Sequence, residues 1–275
     1  MSNEHLIWQF NHSSEIKSIP RHSHNGYQMI YVKDGRVNIS VSRKNYDVLP
    51  ESLVFINHLE THNIRMLSDC YERYYLNISP RLAEKHIRDK TLLSIFFNRP
   101  PDFEHVLRIG ETGKTVENML SLIGAEAEKH GAYSNEACSL LLKYLLICLY
   151  REYPSKFPSV DQDILVTVWQ VKNYIENNYN KELQLVDIAR SFALSPYYLS
   201  RNFKAITGYG FKQYSLLCRI SSAKDALRNT DLSILQIALS TGFTDHSNFT
   251  KYFRRETGMT PTEYRRKFTL QGENE

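Results

Sequence analysis

Two stretches of the chain, fifty residues apart, follow one pattern. The first is YYLSRNFKAITGYGF (197–211) and the second is SNFTKYFRRETGMTP (247–261). In both, apolar residues recur at the spacing of a single helical face, cations lie off that face, and a Thr-Gly pair ends the segment. The chain must therefore fold so that two similar amphipathic helices each bury one side.

The similarity holds position by position. Ser195 and Asp245 are matched residues of the type that caps helix N-termini. The other matched pairs are Leu199 with Phe249, Arg201 with Lys251, Phe203 with Phe253, Lys204 with Arg254, Gly208 with Gly258, and Tyr214 with Tyr264. A short amphipathic segment precedes each copy and carries a small residue, Ala189 or Ala238, where a second helix could cross closely. This arrangement is typical of a helix-turn-helix.

A helix-turn-helix buries one face of its second helix and shows the other to the major groove of DNA. The turns are predicted at Ala193 and Gly242. Opposite the apolar positions, both copies carry side chains that can donate to phosphate oxygens and base edges. These are Tyr197, Ser200, Arg201 and Lys204 in the first copy and Ser247, Thr250, Lys251 and Arg254 in the second. A single basic helix is more often only solvated, so the prediction depends on the duplication. The long helical segment 211–230 could place the two copies about one DNA turn, roughly 34 Å, apart.

The charge distribution points in the same direction. The 275 residues carry a net charge of +4, but residues 166–275 hold 15 Lys and Arg against 10 Asp and Glu. The first 165 residues hold 19 against 20. A basic region joined to a neutral one favours a polyanionic partner.

The N-terminal part has the pattern of a β-structure followed by helices. The run YQMIYVKDGRVNISV (27–41) predicts a hairpin at Asp34-Gly35, and 46–57 predicts a second pair of strands around a proline turn. A further strand is predicted at 71–79, and Ser79-Pro80 is a helix start. Apolar residues at helical spacing continue through 114–152. The fold class predicted is α+β, with an N-terminal sandwich or small barrel.

The C-terminal part reads as helix throughout. The two prolines of PSKFPSVDQD indicate a linker at 153–163, which separates a first domain (1–152) from a second (164–268) and a polar tail (269–275). Helices are predicted at 164–178, 184–192, 196–207, 211–229, 233–241, 246–257 and 261–268.

Neither a disulfide framework nor a membrane anchor is expected. The cysteines are scattered without a CxxC pair, which favours reduced thiols. No apolar stretch reaches the roughly 20 residues of a bilayer span, and the first residues lack the pattern of a signal peptide. We therefore expect a cytoplasmic protein that does not contact the membrane.

The C-terminal motifs resemble those of a known family. Residues 166–268, with DIARSFALSPYYLSRNFKAITGYGFKQY, IALSTGFTDHSNFTKYFRRETGMTPTEYR and the R-x-x-x-A-x-x-x-L of 219–227, resemble the AraC/XylS transcription regulators. The resemblance implies seven helices, two helix-turn-helix units and an asymmetric site on double-stranded DNA. Its implied base-facing residues are Tyr197, Ser200, Arg201, His246, Ser247, Asn248 and Lys251. Its implied phosphate-facing residues are Lys204, Thr250, Arg254 and Arg255. Ser200 is shorter than the side chain common there, so its base contact is lost or made through water.

The resemblance also implies that the first domain is cupin-like, senses an effector and forms a homodimer through helices in 114–152. Its candidate effector-binding residues are His22, His24, Gln28, Tyr31 and His62. His22 and His24 lie two apart and would share one face of a strand. Gln28 stands where metal-binding cupins place a glutamate, which weakens a metal site. The histidines could bind a small effector, hold a metal or be structural, and the tyrosines could be core residues.

Three functions remain open from the residues. The leading one is a DNA-binding regulator that is not an enzyme and needs no cofactor or metal, with a small-molecule effector, and with RNA polymerase as a further candidate partner. The second is a cupin-type metalloenzyme with a helical appendage. The third is an adaptor whose basic helices bind an acidic protein. No Ser-His-Asp order, Walker loop or GxGxxG motif indicates other catalysis.

Overall fold

The chain divides into two compact units. A computed structural model of the protein describes residues 9–13, 18–23, 26–42, 44–129, 131–158 and 161–269. Contacts between residues cluster into one unit that ends at Val160 and a second that begins at Asp161. The first unit contains all the strands of the described residues, and the second is entirely helical. The fold is therefore α+β.

The strands of the first unit form one antiparallel sheet. They are β1 (Gln9–Ser13), β2 (Ile19–His22), β3 (Tyr27–Val41), β4 (Lys44–Val48), β5 (Ser52–Ile56), β6 (His62–Ile78) and β7 (Val106–Arg108). The order in the sheet is β1-β6-β3-β5-β7, with β2 also paired to β6 and β4 also paired to β3. The two long strands β3 and β6 therefore lie at the centre of the pairing.

The hairpin predicted at Asp34-Gly35 is wrong, because β3 continues through it. Asp34 and Gly35 pair with Glu72 and Tyr71 of β6, and the register shifts on both sides of them. Gly35 has a φ of +84°, and a Cβ there would lie 2.1 Å from the carbonyl oxygen of Cys70. Only glycine fits, so the turn signal marks a β-bulge rather than a chain reversal.

The bulge has a consequence for the core. Ile30 and Val32 precede it and Val37 and Ile39 follow it, yet all four belong to one buried cluster. Strict alternation would put the second pair on the opposite face, so the bulge resets the alternation and lets the sheet curl around a single core.

The proline turn at 49–51 does not close a pair of strands either. Strand β4 pairs with Val37–Val41 and β5 pairs with Gln28–Val32. The two short strands therefore lie one after the other along β3. The strand predicted at 71–79 is the second half of β6.

Four helices complete the first unit. They are α1 (Pro80–His86), α2 (Lys90–Phe97), α3 (Gly113–Lys129) and α4 (Ser134–Glu152), with short 3-10 helices at Gly110–Thr112 and Pro154–Lys156. Ser79 caps α1 as predicted, since its side chain accepts a hydrogen bond from the Leu82 N–H. Phe96 of α2 packs against Tyr27 and Phe55, so helix α2 covers one face of the sheet.

The second unit consists of seven helices in the described range. They are α5 (Gln162–Asn178), α6 (Leu185–Ser191), α7 (Pro196–Thr207), α8 (Phe211–Asn229), α9 (Ile234–Ser240), α10 (His246–Thr257) and α11 (Pro261–Thr269). Each predicted helix exists, with ends displaced by at most two residues. Within the described part of the chain, every helix falls short of the length and apolar character that crossing a bilayer requires.

Candidate nucleic-acid interface

Helices α7 and α10 begin and end with the same devices. The Ser195 side chain accepts a hydrogen bond from the Tyr198 N–H, and the Asp245 side chain accepts one from the Asn248 N–H. Both helices end at a glycine in the left-handed region, with φ values of 76° and 78°. The predicted N-caps and glycine stops of the two helices are therefore confirmed.

The threonine before each glycine also acts alike. The Thr207 hydroxyl donates to the Phe203 carbonyl and accepts from the Tyr209 N–H. The Thr257 hydroxyl donates to the Phe253 carbonyl and accepts from the Met259 N–H. These bonds join the last turn of each helix to the residue that follows the glycine.

The buried faces repeat as well. Phe203 packs edge-on against Tyr214 with ring centres 5.2 Å apart, and Phe253 packs edge-on against Tyr264 at 5.3 Å. Ala189 and Ala238 are fully buried in the preceding helices α6 and α9. The structure therefore contains the two helix-turn-helix scaffolds that the sequence predicted.

The outward face of α10 collects the predicted residues of the second copy. A shallow surface hollow is lined by His246, Ser247, Thr250, Lys251, Arg254, Arg255 and Thr260. His246, Ser247, Asn248, Lys251, Arg254 and Arg255 are exposed. Thr260 was not predicted, because it lies beyond the Thr257-Gly258 stop and only the tertiary structure brings it beside the helix. The hollow offers several donors and a net positive charge to an anionic partner.

The outward face of α7 presents the residues of the first copy. Tyr197 is 77% exposed, and Ser200, Arg201 and Lys204 are exposed as well. Leu199 and Phe203 lie on the opposite side and are buried. The outer face of α7 is therefore open to solvent and carries fewer cations than the outer face of α10.

Three residues of α10 differ from the simple prediction. The Thr250 hydroxyl oxygen is inaccessible and has no hydrogen-bond partner among the described residues, so in this conformation it could not reach a phosphate. The Asn248 amide donates to the Asp245 carboxylate at 2.7 Å. Arg255 pairs with Glu256 at 2.8 Å and lies over the Tyr252 ring. Asn248 and Arg255 would exchange these bonds to offer the same donors to DNA, whereas Thr250 would have to rotate its side chain.

The predicted effector residues of the first unit are only partly brought together. The rings of His22 and His62 lie 4.2 Å apart, and His62 is 1% exposed. His62 lies two residues from Ile64, and Gln28 two residues from Ile30, so both share the face of the buried cluster. Tyr31 is on the opposite face and packs beside Tyr74. His24 lies outside the described residues.

Tyr31 sits in an acidic environment. Burial, together with the nearby carboxylates of Glu117 and Glu51, raises the pKa of its hydroxyl to about 12. A phenol of this kind stays protonated at neutral pH, so it can donate its hydroxyl hydrogen in a hydrogen bond. Tyr31 therefore lies on the opposite face of the sheet from His22 and His62. Within the described residues, no group of three or more His, Cys, Asp or Glu could hold a metal ion.

Sequence reasoning missed a buried polar network that joins the loop after β5, the segment between α2 and β7, and strand β4. Glu60 accepts hydrogen bonds from Arg99 at 2.9 Å and from the Asn57 N–H at 2.8 Å, and lies 3.1 Å from His105 Nε2. Burial opposes ionisation, but the Arg99 guanidinium and His105 outweigh it and hold the pKa of Glu60 well below its ordinary value. Tyr46 completes the network through His105 Nδ1 at 2.9 Å. These residues are distant in sequence and carry no motif, so no sequence signal identified them.

Two family models cover most of the chain. Residues 10–146 match the AraC-like ligand binding domain, and residues 188–267 match a helix-turn-helix domain. The second match spans both scaffolds described above, and the first covers the sheet with helices α1 and α2, α3 and most of α4.

Individual proteins show the same two levels of similarity. The uncharacterized HTH-type transcriptional regulator YijO of Escherichia coli (strain K12) is 35% identical over 101 residues, which cover 37% of this chain and 36% of YijO. The chain thus matches little more than a third of that relative's length. The Msm operon regulatory protein of Streptococcus mutans serotype c is 24% identical over 242 residues, 87% of this chain and 84% of that protein. The crystal structure of ToxT from Vibrio cholerae superposes with a TM-score of 0.64 at 16% identity and covers 95% of this chain and 99% of that one, a likeness of fold.

Proposed function

This chain belongs to the AraC family of transcriptional regulators, and from that membership we propose that it binds double-stranded DNA sequence-specifically through helices α7 and α10. The observation that carries the proposal is the repeated scaffold with two exposed, cationic outer faces. Base reading is assigned to Tyr197, Ser200, Arg201, His246, Ser247, Asn248 and Lys251. Phosphate contacts are assigned to Lys204, Arg254 and Arg255. Thr250 would join them only after its side chain rotates.

The two helices should read different sequences. Arg201 and Lys251 occupy matched positions, but guanidinium can bond two base acceptors at once and ammonium cannot. Ser200 reaches a base only through water, whereas α10 offers His246 and Ser247 at its N-terminus. The proposed site is therefore asymmetric, with its halves in successive major grooves about 10 base pairs apart.

We propose a small-molecule effector for the first unit, bound on the face that carries His22, Gln28 and His62. The support is the contact between the two histidines and the match of residues 10–146 to a ligand-binding domain. Tyr31 is left out because it lies on the other face of the sheet. Imidazole and amide groups suit a polar, hydrogen-bonding ligand.

We propose that the chain forms a homodimer through α4. Leu140 is 69% exposed and Tyr144 is 52% exposed, one helical turn apart. The opposite side of α4 is already buried within the unit, as shown by Leu142 and Leu146. An apolar surface on the second side is suited to a like surface on a second copy.

Light scattering tests the dimer. Leu140→Ser combined with Tyr144→Ser should halve the measured mass, while Leu239→Ser, which removes a similarly exposed apolar side chain from the second unit, should leave the mass unchanged. A wild-type chain that is already monomeric at micromolar concentration contradicts the dimer.

Selection of bound duplexes from a random pool, with and without cell metabolites, tests DNA binding and its control. A regulator enriches one site with two distinct halves, and an effector shifts the enrichment. Recovery of duplexes without any shared sequence would favour the adaptor. Stoichiometric iron, manganese or zinc in the purified protein, lost in the variant with His22→Ala and His62→Ala, would favour the metalloenzyme.

A further inference from the structure

Arg219 binds three backbone carbonyls that belong to different parts of the second unit. It lies near the middle of α8, the helix between the two helix-turn-helix units. Its Nε donates to the Tyr179 carbonyl at 2.7 Å and one Nη donates to the Lys181 carbonyl at 2.8 Å. The other Nη donates to the Gly242 carbonyl at 2.6 Å. One side chain thus joins two segments more than fifty residues apart.

The two joined segments are also in direct contact. A Cβ at Gly242 would lie 2.7 Å from the carbonyl oxygen of Asn180. Gly242 has a φ of +89°, so it forms the left-handed turn between α9 and α10. The connector 179–181 therefore rests against this turn without room for a side chain between them.

Each segment is tied to a different recognition helix. The connector follows α5, and α5 packs on α7. The turn leads to Phe243, whose ring lies 5.1 Å from that of Phe249 in α10. Arg219 also lies 5.9 Å from the Phe243 ring. A chain of contacts consequently links helix α5, which packs on α7, through the Arg219 guanidinium to the first turn of α10.

We propose that Arg219 is a positioning residue that fixes the offset between α7 and α10, and thereby sets the spacing of half-sites that the chain accepts. The proposal rests on the proposed function, because spacing matters only if both helices bind one duplex. One extra base pair moves a half-site by about 3.4 Å and turns it by about 35°. A rigid pair of helices cannot follow that change, whereas a loosened pair can.

The chemistry requires arginine at this position. The guanidinium is planar and aims its donors in fixed directions, so it bonds three carbonyls at once. A lysine ammonium keeps the charge but concentrates its donors on one atom. Arg219→Lys therefore retains electrostatic attraction to DNA and loses the geometry of the connection.

The test measures binding of the full chain to duplexes that carry the selected half-sites at the selected spacing and with one base pair added or removed. For the wild type, the change of spacing should weaken binding about 30-fold. For Arg219→Lys, we expect a penalty of about threefold, with binding to a duplex that holds one half-site unchanged.

Arg265→Lys is the matched control. Arg265 donates to the Leu232 carbonyl, a bond within the second copy and its flanking helices. This variant also loses an arginine–carbonyl bond, but its spacing penalty should remain at the wild-type value. The proposal is overturned if Arg219→Lys keeps the full penalty, or if it weakens binding to the single half-site as much as to the whole site.

A measurement without DNA separates this proposal from the proposed function. Spin labels at Lys204→Cys and Arg254→Cys, in a chain in which the exposed Cys70 and the half-buried Cys148 are replaced, report the distance between α7 and α10. Arg219→Lys should broaden the distance distribution, and Arg265→Lys should not. An unchanged distance distribution in Arg219→Lys overturns the positioning role. Failure to select any duplex contradicts DNA binding, and the distance measurement then still decides whether Arg219 positions the two helices.

Discussion

The two helix-turn-helix units of this chain are alike in what holds them together and different in what they expose. Caps, glycine stops, threonine hydroxyl bonds and the Phe–Tyr edge contact recur at matched positions. The outer faces share their cations, with Arg201 and Lys204 in one and Lys251 and Arg254 in the other, but Tyr197 of the first is matched by Ser247 in the second. The scaffold follows the geometry of helices, which is the same for both copies, whereas in the proposed complex each outer face would contact its own half-site.

The turns are the place where the two scaffolds diverge. Ala193 takes a φ of 54° in the first turn, and Gly242 takes 89° in the second. Ala193 is exposed, whereas Gly242 meets the Asn180 backbone. The same backbone requirement therefore tolerates a methyl group in one copy and excludes it in the other.

Substitution at the turns should give the largest effect. Gly242→Ala places a Cβ against the Asn180 carbonyl in a left-handed residue, and we expect the free energy of unfolding to fall by about 2–4 kcal/mol. Ala193→Gly relieves the left-handed alanine and adds chain entropy to the unfolded state, so its effect should stay within about 1 kcal/mol. Urea denaturation measures both.

Gly258→Ala separates strain from contact in that comparison. Gly258 has a φ of +78°, and no heavy atom lies within 4 Å of the position that a Cβ would take there. Gly258→Ala should therefore lower the free energy of unfolding only by the cost of a left-handed alanine, about 1 kcal/mol. Equal losses for Gly242→Ala and Gly258→Ala would show that the Asn180 contact contributes nothing.

The matched cations should give the next effect. Arg201→Ala and Lys251→Ala should each weaken binding to the selected site by about 1–3 kcal/mol if each reads a base. Each loss should depend only on the half-site that the substituted helix contacts, because the proposed site has two different halves. Titrations with duplexes mutated in one half at a time measure this. Equal losses on selected and random duplexes would mean that both side chains touch phosphate alone.

The N-caps should differ in their response to acid. Ser195→Ala should lower the free energy of unfolding by about 1 kcal/mol at any pH. The hydrogen bond from the Asn248 N–H lowers the pKa of the Asp245 carboxyl. The stability that the ionised carboxylate adds is therefore present above the unfolded-state pKa and is lost as the pH falls through the folded-state pKa. Asp245→Asn keeps the cap and should remove this acid dependence.

Unfolding curves at pH 7 and pH 3 check the difference between the caps. The wild type should lose more stability on acidification than Asp245→Asn does, while Ser195→Ala should follow the wild type. A common acid response in all three proteins would mean that the carboxylate cap contributes no titratable stability.

The phosphate cations should give the smallest effect. Lys204→Ala and Arg254→Ala should each reduce the slope of log affinity against log salt by about one, with a loss of only about threefold to tenfold in affinity at moderate salt. Arg255 is held by Glu256, so Arg255→Ala should change the slope less. A larger change for Arg255 than for Arg254 would reverse this ranking.

Periodicity and end signals were sufficient for the helical unit because helices are local structures. A cap, a 3–4 spacing and a glycine lie within one segment, so α7 and α10 could be predicted with their ends. The sheet could not be predicted in the same way. Asp34-Gly35 is a local turn signal, but its outcome as a bulge depends on Cys70 and Tyr71, which reach it only through pairing with β6.

The candidate site residues also divide into those that local spacing predicts and those that depend on tertiary contacts. The outward positions of α7 and α10 follow from 100° per residue. Tyr31 lies three residues from Gln28 on one strand, so alternation alone places these two candidates on opposite faces. The Glu60 network and the burial of the Thr250 hydroxyl depend on residues far along the chain, and no spacing rule reports them.

By itself, the sequence determined that two equivalent helix-turn-helix scaffolds exist and which side of each recognition helix faces outward. Their caps, stops and apolar stripes act within a few residues of one another. Tertiary structure alone decided how the copies are joined, because the carbonyls of Tyr179, Lys181 and Gly242 meet at Arg219 only after α8 has packed between them. The direction of a backbone carbonyl carries no side-chain signature, so the sequence marks Arg219 within a motif and Gly242 at a turn but does not show that they meet.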